Sequence, residues 1–127
     1  MPIITIESSV PPPAGRRAEI LATLVATVER CLDVQPPTEV RLRLVDVDPA
    51  SAVVGRVPVD GAKPWVVADA RVILGRPDAV LTDFMATFAD AIAACYGVDQ
   101  RHVRVLVHGY DKQFWGIGSK TAAALGR

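Results

Sequence analysis

The stretch ILATLVATVERC, residues 20–31, has a counterpart 64 positions later, FMATFADAIAAC, residues 84–95. At that offset Ala22-Thr23-Leu24 aligns with Ala86-Thr87-Phe88, and both stretches end in a cysteine. Apolar residues recur in each stretch with the spacing of an amphipathic helix. An internal repeat with this period indicates two copies of one supersecondary unit.

The repeat extends on both sides of the two helical stretches. Pro13 aligns with Pro77, and Val40-Arg41 aligns with Val103-Arg104 at an offset of 63, since the first copy has one extra residue after its cysteine. Each copy therefore predicts a strand, a helix of about five turns and a second strand. We predict strands over residues 3–8, 40–47, 65–74 and 101–108, and helices over residues 13–32 and 77–96.

A strand–helix–strand unit of this length favours parallel strands joined by a right-handed crossover. Two fused βαβ units predict an α/β fold, in which one four-stranded sheet carries both helices on one face. A chain of 127 residues is long enough to bury its own core. We predict a single domain over residues 1–127, with unit one at 2–48, a joint at 49–64 and unit two at 65–127.

The other face of the predicted sheet has no covering layer. Strand alternation points six side chains toward that face: Arg41, Arg43, Val45, Arg104, Leu106 and His108. A face that mixes apolar and arginine side chains is typical of an interface between subunits. The sequence therefore predicts an oligomer.

Composition narrows the class of partner. Fourteen Lys plus Arg balance fourteen Asp plus Glu, and no basic face or aromatic-basic module indicates nucleic acid. No run reaches the ~20 apolar residues of a membrane span, and the N-terminus does not resemble a signal peptide, so we expect no membrane partner and a cytoplasmic location. His102 and His108 stand apart from other ligand-type residues, so no metal site is predicted. Eleven of the fourteen basic residues are arginines, which suit carboxylate ligands.

The stretch VRVLVHGYDKQFWGIG, residues 103–118, resembles the end of the 4-oxalocrotonate tautomerase family. There, a Val-Arg-hydrophobic strand leads to an aromatic-Gly-Ile-Gly turn and a small C-terminal helix, which would here cover residues 119–125. The opening PIITI, residues 2–6, resembles the family's first strand. The duplicated chain resembles longer members of the tautomerase superfamily, such as malonate semialdehyde decarboxylase and cis-3-chloroacrylic acid dehalogenase, and this resemblance implies a homotrimer.

The resemblance also implies a chemistry for the start of the chain. In that family an amino-terminal proline moves the proton, so Pro2 would be the catalytic residue after removal of Met1. Burial and neighbouring guanidinium groups disfavour a charged amine and lower its pKa toward the range where a general base is effective. The resemblance implies a reaction that uses no cofactor.

Four further residues match the family's site. Arg76 matches the substrate-binding arginine, and Trp115 matches the aromatic residue that packs beside the proline. The family's second-strand arginine matches both Arg41 and Arg104, and the sequence leaves open which of the two faces Pro2. Arginines at such a site hold a substrate carboxylate and stabilise the charge on an enolate oxygen.

The predicted function is a keto–enol tautomerase that acts on a small carboxylic acid. One alternative is a decarboxylase of a β-keto or semialdehyde acid, whose family aspartate falls at or next to Thr38. Another is a non-catalytic trimeric binding protein that retains Met1. Hydration of haloacrylates is disfavoured, because the dehalogenase's glutamate falls at Phe114 and its helix histidine at Glu29.

Overall fold

The structure is a computed structural model that describes the backbone of residues 1–127 and every side chain except that of Pro37. Ten helices and strands follow one another along the chain, with short 3-10 turns between them. They are β1 (Ile3–Ser8), α1 (Arg17–Leu32), β2 (Arg41–Asp46), β3 (Val53–Val54), β4 (Val57–Pro58), β5 (Val66–Ile73), α2 (Asp78–Tyr96), β6 (Val103–Tyr110), β7 (Gly116–Ile117) and β8 (Lys120–Thr121).

The main sheet contains four strands in the order β2-β1-β5-β6. Strands β1 and β2 are parallel, β5 and β6 are parallel, and the central pair β1 and β5 is antiparallel. Each βαβ unit is therefore parallel within itself, and an approximate twofold axis relates the two units. The predicted fold class, two fused βαβ units around one four-stranded sheet, is confirmed.

The core lies between the two helices and the inward face of the sheet. Ile4 and Ile6 of β1 are buried, whereas the intervening strand positions point the other way. From α2, Phe84 and Phe88 are fully buried and stack with ring centroids 5.1 Å apart. Burial of each such side chain contributes about 1.5–3 kcal/mol, so the repeated apolar pattern holds the two layers together.

Two of the predicted helices differ from the structure, one at its start and the other over its whole length. Helix α1 begins at Arg17 rather than at residue 13, because Gly15 adopts φ +75° and Arg16 N–H closes a turn onto the Pro13 carbonyl. The predicted C-terminal helix over 119–125 is wrong. Gly118, with φ +60°, allows the tight turn of the β7–β8 hairpin. Irregular turns follow that hairpin.

The segment between the units, predicted as a joint, repeats the tail of unit two. Its β3–β4 hairpin lies 63 residues before the β7–β8 hairpin. Asp48 and Asp111 precede these hairpins, and each carboxylate accepts the backbone N–H two residues later. Val59 N–H donates to the Ala52 carbonyl as Ala122 N–H donates to the Trp115 carbonyl. Both units therefore consist of a βαβ core followed by a small hairpin.

The outward face of the sheet has no covering layer within the chain. Arg41, Arg43, Arg104 and His108 are exposed there, and Leu106 is 47% exposed. These positions agree with the predicted alternation. The face leaves apolar and arginine side chains without a packing layer in the single chain.

Helix α2 is long and apolar enough, by length and composition, to cross a membrane. The core helix of a soluble protein passes the same test, and a single helix of this kind is weak evidence. Here Phe84, Phe88 and Ile92 of α2 belong to the buried core.

Candidate active site

Pro2 lies at the head of a central strand. Its ring is buried, and its carbonyl oxygen accepts a hydrogen bond of 3.0 Å from the N–H of Arg41 at the start of β2. Met1 precedes it and is half-buried. The strand pairing therefore holds the start of the chain at a fixed position beside Arg41.

The tail of unit two covers this position. Trp115 is 8% exposed, and its ring meets the edge of Tyr110 with the centroids 6.0 Å apart. Trp115 and the turn at 116–118 line a cavity of about 200 Å³ together with Met1 and Arg41. The apolar indole excludes water from one side of the amino-terminal position.

Arg76 approaches the same end of the chain from the turn after β5. Gly75 adopts φ +129°, a conformation that other residues rarely adopt, and this turn directs the chain into Arg76. Arg76 Nε donates to the Leu32 carbonyl at 3.1 Å, and Nη1 donates to the Ile73 carbonyl at 3.4 Å. The guanidinium is thereby fixed, and its Nη2 has no hydrogen-bond partner among the side chains and backbone that the structure describes.

Another cavity at this end of the sheet, of about 230 Å³, joins Arg76 to the start of the chain. Met1, Gln35, Arg76 and Arg127 all line it. Arg127 Nη1 lies 3.3 Å from the Met1 sulfur. Two guanidinium groups therefore flank the amino terminus, which makes this end of the chain attractive to an anion.

The electrostatics of this end disfavour positive charge on the amino group. Burial, the guanidinium of Arg76 and that of Arg127 lower the pKa of the Met1 amine, while Glu39 opposes the shift. Burial also lowers the pKa of Arg76, although arginine stays charged at neutral pH. An amine held here is easier to keep in its neutral, basic form than one in water.

The structure brings together most of the residues predicted for the site. Pro2, Arg76, Arg41 and Trp115 lie around the start of the chain. Arg104 does not join them in the single chain, because it lies at the start of β6, at the opposite end of the sheet. Of the two arginines that the sequence could not separate, Arg41 is the one beside Pro2 within one chain.

Two residues of this region, Arg127 and Gln35, were not predicted from the sequence, and a third, Glu39, is the neighbour of Thr38, where the decarboxylase aspartate falls. Arg127 and Gln35 line the cavity that contains Arg76, and Glu39 lies in the other cavity, 3.8 Å from Arg41. No local pattern marks Arg127 or Gln35, since each reaches the amino terminus only through the fold. The carboxylate of Glu39 partly neutralises Arg41 and gives the site an acidic group.

The fold and this arrangement define a class of protein. Two parallel βαβ units meet as antiparallel neighbours, and a buried proline heads a central strand between arginines and an indole. No family model matches the chain, and no curated protein matches it in sequence. Solved structures, in contrast, match over nearly its whole length.

A wild-type fused 4-OT described as an asymmetric trimer is 28% identical, with a TM-score of 0.84 over 97% of this chain and 99% of that chain. A native fused 4-OT is 27% identical, with a TM-score of 0.87 over 98% of this chain and 99% of that chain. A member of the cis-3-chloroacrylic acid dehalogenase family is 17% identical, with a TM-score of 0.78 over 93% and 81%, and shares the fold. The chain belongs to the tautomerase superfamily, and it is similar to the fused proteins of that superfamily.

Proposed function

We propose that this chain is a cofactor-free tautomerase that interconverts the enol and keto forms of a small carboxylic acid. In this proposal Met1 is removed and the nitrogen of Pro2 acts as general base and acid. The observation that supports it is the buried position of Pro2 at the head of β1, with Arg76, Arg41 and Trp115 around it. Membership in a superfamily of catalytic proteins supports an enzyme.

The proton transfer needs only one nitrogen. In ketonisation, the neutral amine of Pro2 accepts the hydroxyl proton of the enol, and the electron pair of the broken O–H bond forms the second bond of the carbonyl. The π electrons of the carbon–carbon double bond form a new C–H bond with the proton that the protonated amine returns. Proton and electron counts balance without another reactant. Burial and the guanidinium of Arg76 lower the pKa of the Met1 amine at this end of the chain, and the same surroundings would favour the neutral, basic form of a Pro2 amine.

Arginines would bind the substrate. Arg76 has two of its nitrogens fixed on backbone carbonyls, so Nη2 can donate to a carboxylate without first losing much conformational entropy. Arg41 lies on the other side of Pro2, where it can stabilise charge on the enolate oxygen. A hydrogen bond to a charged group contributes about 1.5–3 kcal/mol.

The proposal extends to assembly and location. The uncovered face of the sheet, with Leu106 47% exposed among arginines, supports a homotrimer, and similar fused 4-OT structures are described as trimers. Subunits that meet on this face would bury its apolar side chains, of which Leu106 is the most exposed. A cytoplasmic location accompanies this proposal.

A second candidate is a decarboxylase of a β-keto or semialdehyde acid. The observation that favours it is Glu39, whose carboxylate lies in the cavity beside Arg41, next to the position of the decarboxylase aspartate at Thr38. Release of carbon dioxide from acetoacetate, measured beside enol ketonisation, separates the two activities. A binding protein that retains Met1 would show neither.

The test uses untagged protein whose amino terminus is established by intact mass. Phenylenolpyruvate ketonises slowly in water, so its loss can be followed by absorbance. We expect the processed chain to accelerate this reaction and the Met1-retaining chain to be inactive, because the amide nitrogen of Pro2 has no available lone pair. Pro2→Ala leaves a primary amine and should lower the rate without abolishing it.

Pro13→Ala serves as the matched control, since Pro13 is exposed and lies in the loop before α1. This variant should keep the parent rate. Equal rates for the processed and Met1-retaining chains would show that Pro2 is only the first residue of a strand.

A further inference from the structure

A second cavity, whose lining resembles that of the 200 Å³ cavity beside Pro2, lies at the other end of the sheet. It encloses about 420 Å³ between the β3–β4 hairpin and the first residues of β5 and β6. Valines and an indole form its apolar wall, and Lys63, His102 and Arg104 also line it.

The approximate twofold axis of the chain relates this second cavity to the first, which is the 200 Å³ cavity lined by Met1, Arg41 and Trp115. Ile3 pairs with Arg41 in unit one, and Val67 pairs with Arg104 in unit two. This register places Trp65 where unit one has Met1. The hairpin residues 53–55 line the second cavity as their counterparts 116–118 line the first. The second cavity is therefore an internal copy of the amino-terminal site.

The copy differs from the original at the position that carries the chemistry. Val66 occupies the position of Pro2, and it lies within the chain, where its nitrogen is an amide. No amine can arise there by removal of a methionine. This site can bind a ligand but lacks the base that would turn it over.

The copy also differs in charge. Glu39, 3.8 Å from Arg41 in the first cavity, is replaced at the matching position by His102. Among the residues that the structure describes, no acidic side chain lines the second cavity. Arg104 Nη1 donates to the carbonyls of Arg101 at 2.7 Å and Val103 at 3.3 Å. Its Nε and Nη2 have no partner in the described part of the chain, so the edge that binds carboxylates is free.

We propose that this cavity is a second, non-catalytic binding site for a small carboxylate with an apolar body. The carboxylate lies against Arg104, with Lys63 adding positive charge, and the apolar body packs on Trp65 and Val54. Trp65 is held in place, since its Nε1 donates to Glu7 at 3.2 Å and its backbone N–H donates to Ser9 at 2.9 Å. The site is ordered before a ligand arrives, which lowers the entropic cost of binding.

The test is a fluorescence titration of the whole chain with 3-phenylpropionate, an acid that has no keto or enol form to interconvert. The chain has two tryptophans, so Trp115→Phe leaves Trp65 as the single indole reporter. We expect saturable change in its emission. Arg104→Met in this background removes the charge and keeps the aliphatic stem, and it should weaken binding at least tenfold.

Arg41→Met is the matched control, because it makes the same change in the related cavity. It should leave the Trp65 titration within twofold of the parent. Val54→Glu provides a second test that does not depend on the folding of Arg104→Met. Val54 is 40% exposed, so the substitution places an acidic group on the cavity wall, and it should also weaken binding at least tenfold. An absent Trp65 response, or a response that Arg41→Met removes and Arg104→Met does not, overturns the proposal. The titration involves no turnover, so its outcome is independent of whether Pro2 is a base.

Discussion

Replacement of Arg76 by methionine tests both functions assigned to that guanidinium. In the structure two of its nitrogens hold the carbonyls of Leu32 and Ile73, and Nη2 remains for a substrate carboxylate. One lost charge-assisted hydrogen bond costs about 1.5–3 kcal/mol. Since each 1.4 kcal/mol is a factor of about ten, we expect kcat/KM for phenylenolpyruvate to fall about ten- to hundredfold.

The same substitution should move the pH profile. Arg76 is the second cause, after burial, of the lowered pKa of the Met1 amine, and we expect it to act in the same direction on the Pro2 amine once Met1 is removed. Removal of its positive charge makes the protonated amine less unfavourable, so the pKa of the Pro2 amine rises. The acidic limb of kcat/KM, which reports that amine, should therefore shift to higher pH.

Two further variants separate charge from geometry. Arg76→Lys keeps the positive charge, so the pH limb should stay near that of the parent while kcat/KM falls, because lysine cannot reproduce the planar fork. Arg101→Met removes an exposed arginine paired with Asp99 at the far end of the sheet, and both measurements should match the parent. Unchanged kcat/KM together with an unmoved limb in Arg76→Met would refute the assignment of Arg76 to the site.

Three other substitutions test the pocket, the core and the assembly. Trp115→Ala admits water beside the amino-terminal position. Burial is the largest cause of the lowered pKa of the Met1 amine there, so we expect the acidic limb of the Pro2 amine to move to higher pH in this variant; an unmoved limb would exclude Trp115 from the pocket. Phe88→Ala, at a fully buried position stacked on Phe84, should lower the free energy of unfolding by about 3–5 kcal/mol in denaturant titrations, and a loss below about 1 kcal/mol would contradict the packing. Leu106→Glu on the uncovered face should dissociate the proposed trimer in light scattering at micromolar concentration, whereas an intact trimer would place the interface elsewhere.

The local pattern of the sequence was sufficient for the layers of this fold. Helical spacing depends on neighbouring residues, so the periodicity of residues 77–96 was enough to place Phe84 and Phe88 on the inward side of α2, where both are buried. The internal repeat then implied that the two units share one sheet. Where a glycine dihedral decided the path, as at Gly118, the family resemblance implied a helix over residues 119–125, and the chain forms a hairpin instead.

The hairpin that follows unit one was also beyond the local pattern, because two-residue strands carry too little alternation to be recognised. Its role became visible only when the structure placed it opposite Trp65, as the tail of unit two lies opposite Met1.

The sequence by itself determined that Arg41 and Arg104 occupy equivalent positions in two copies of one unit. It could not determine which lies beside Pro2, since both follow the same local pattern. That choice depends on the antiparallel pairing of β1 with β5, which puts the head of β1 next to the end of β5 and far from the head of β6. The same pairing brings Arg76 and Arg127 to the amino terminus. Contacts between residues so distant in the chain arise from the packing of whole units, and only the tertiary structure decides them.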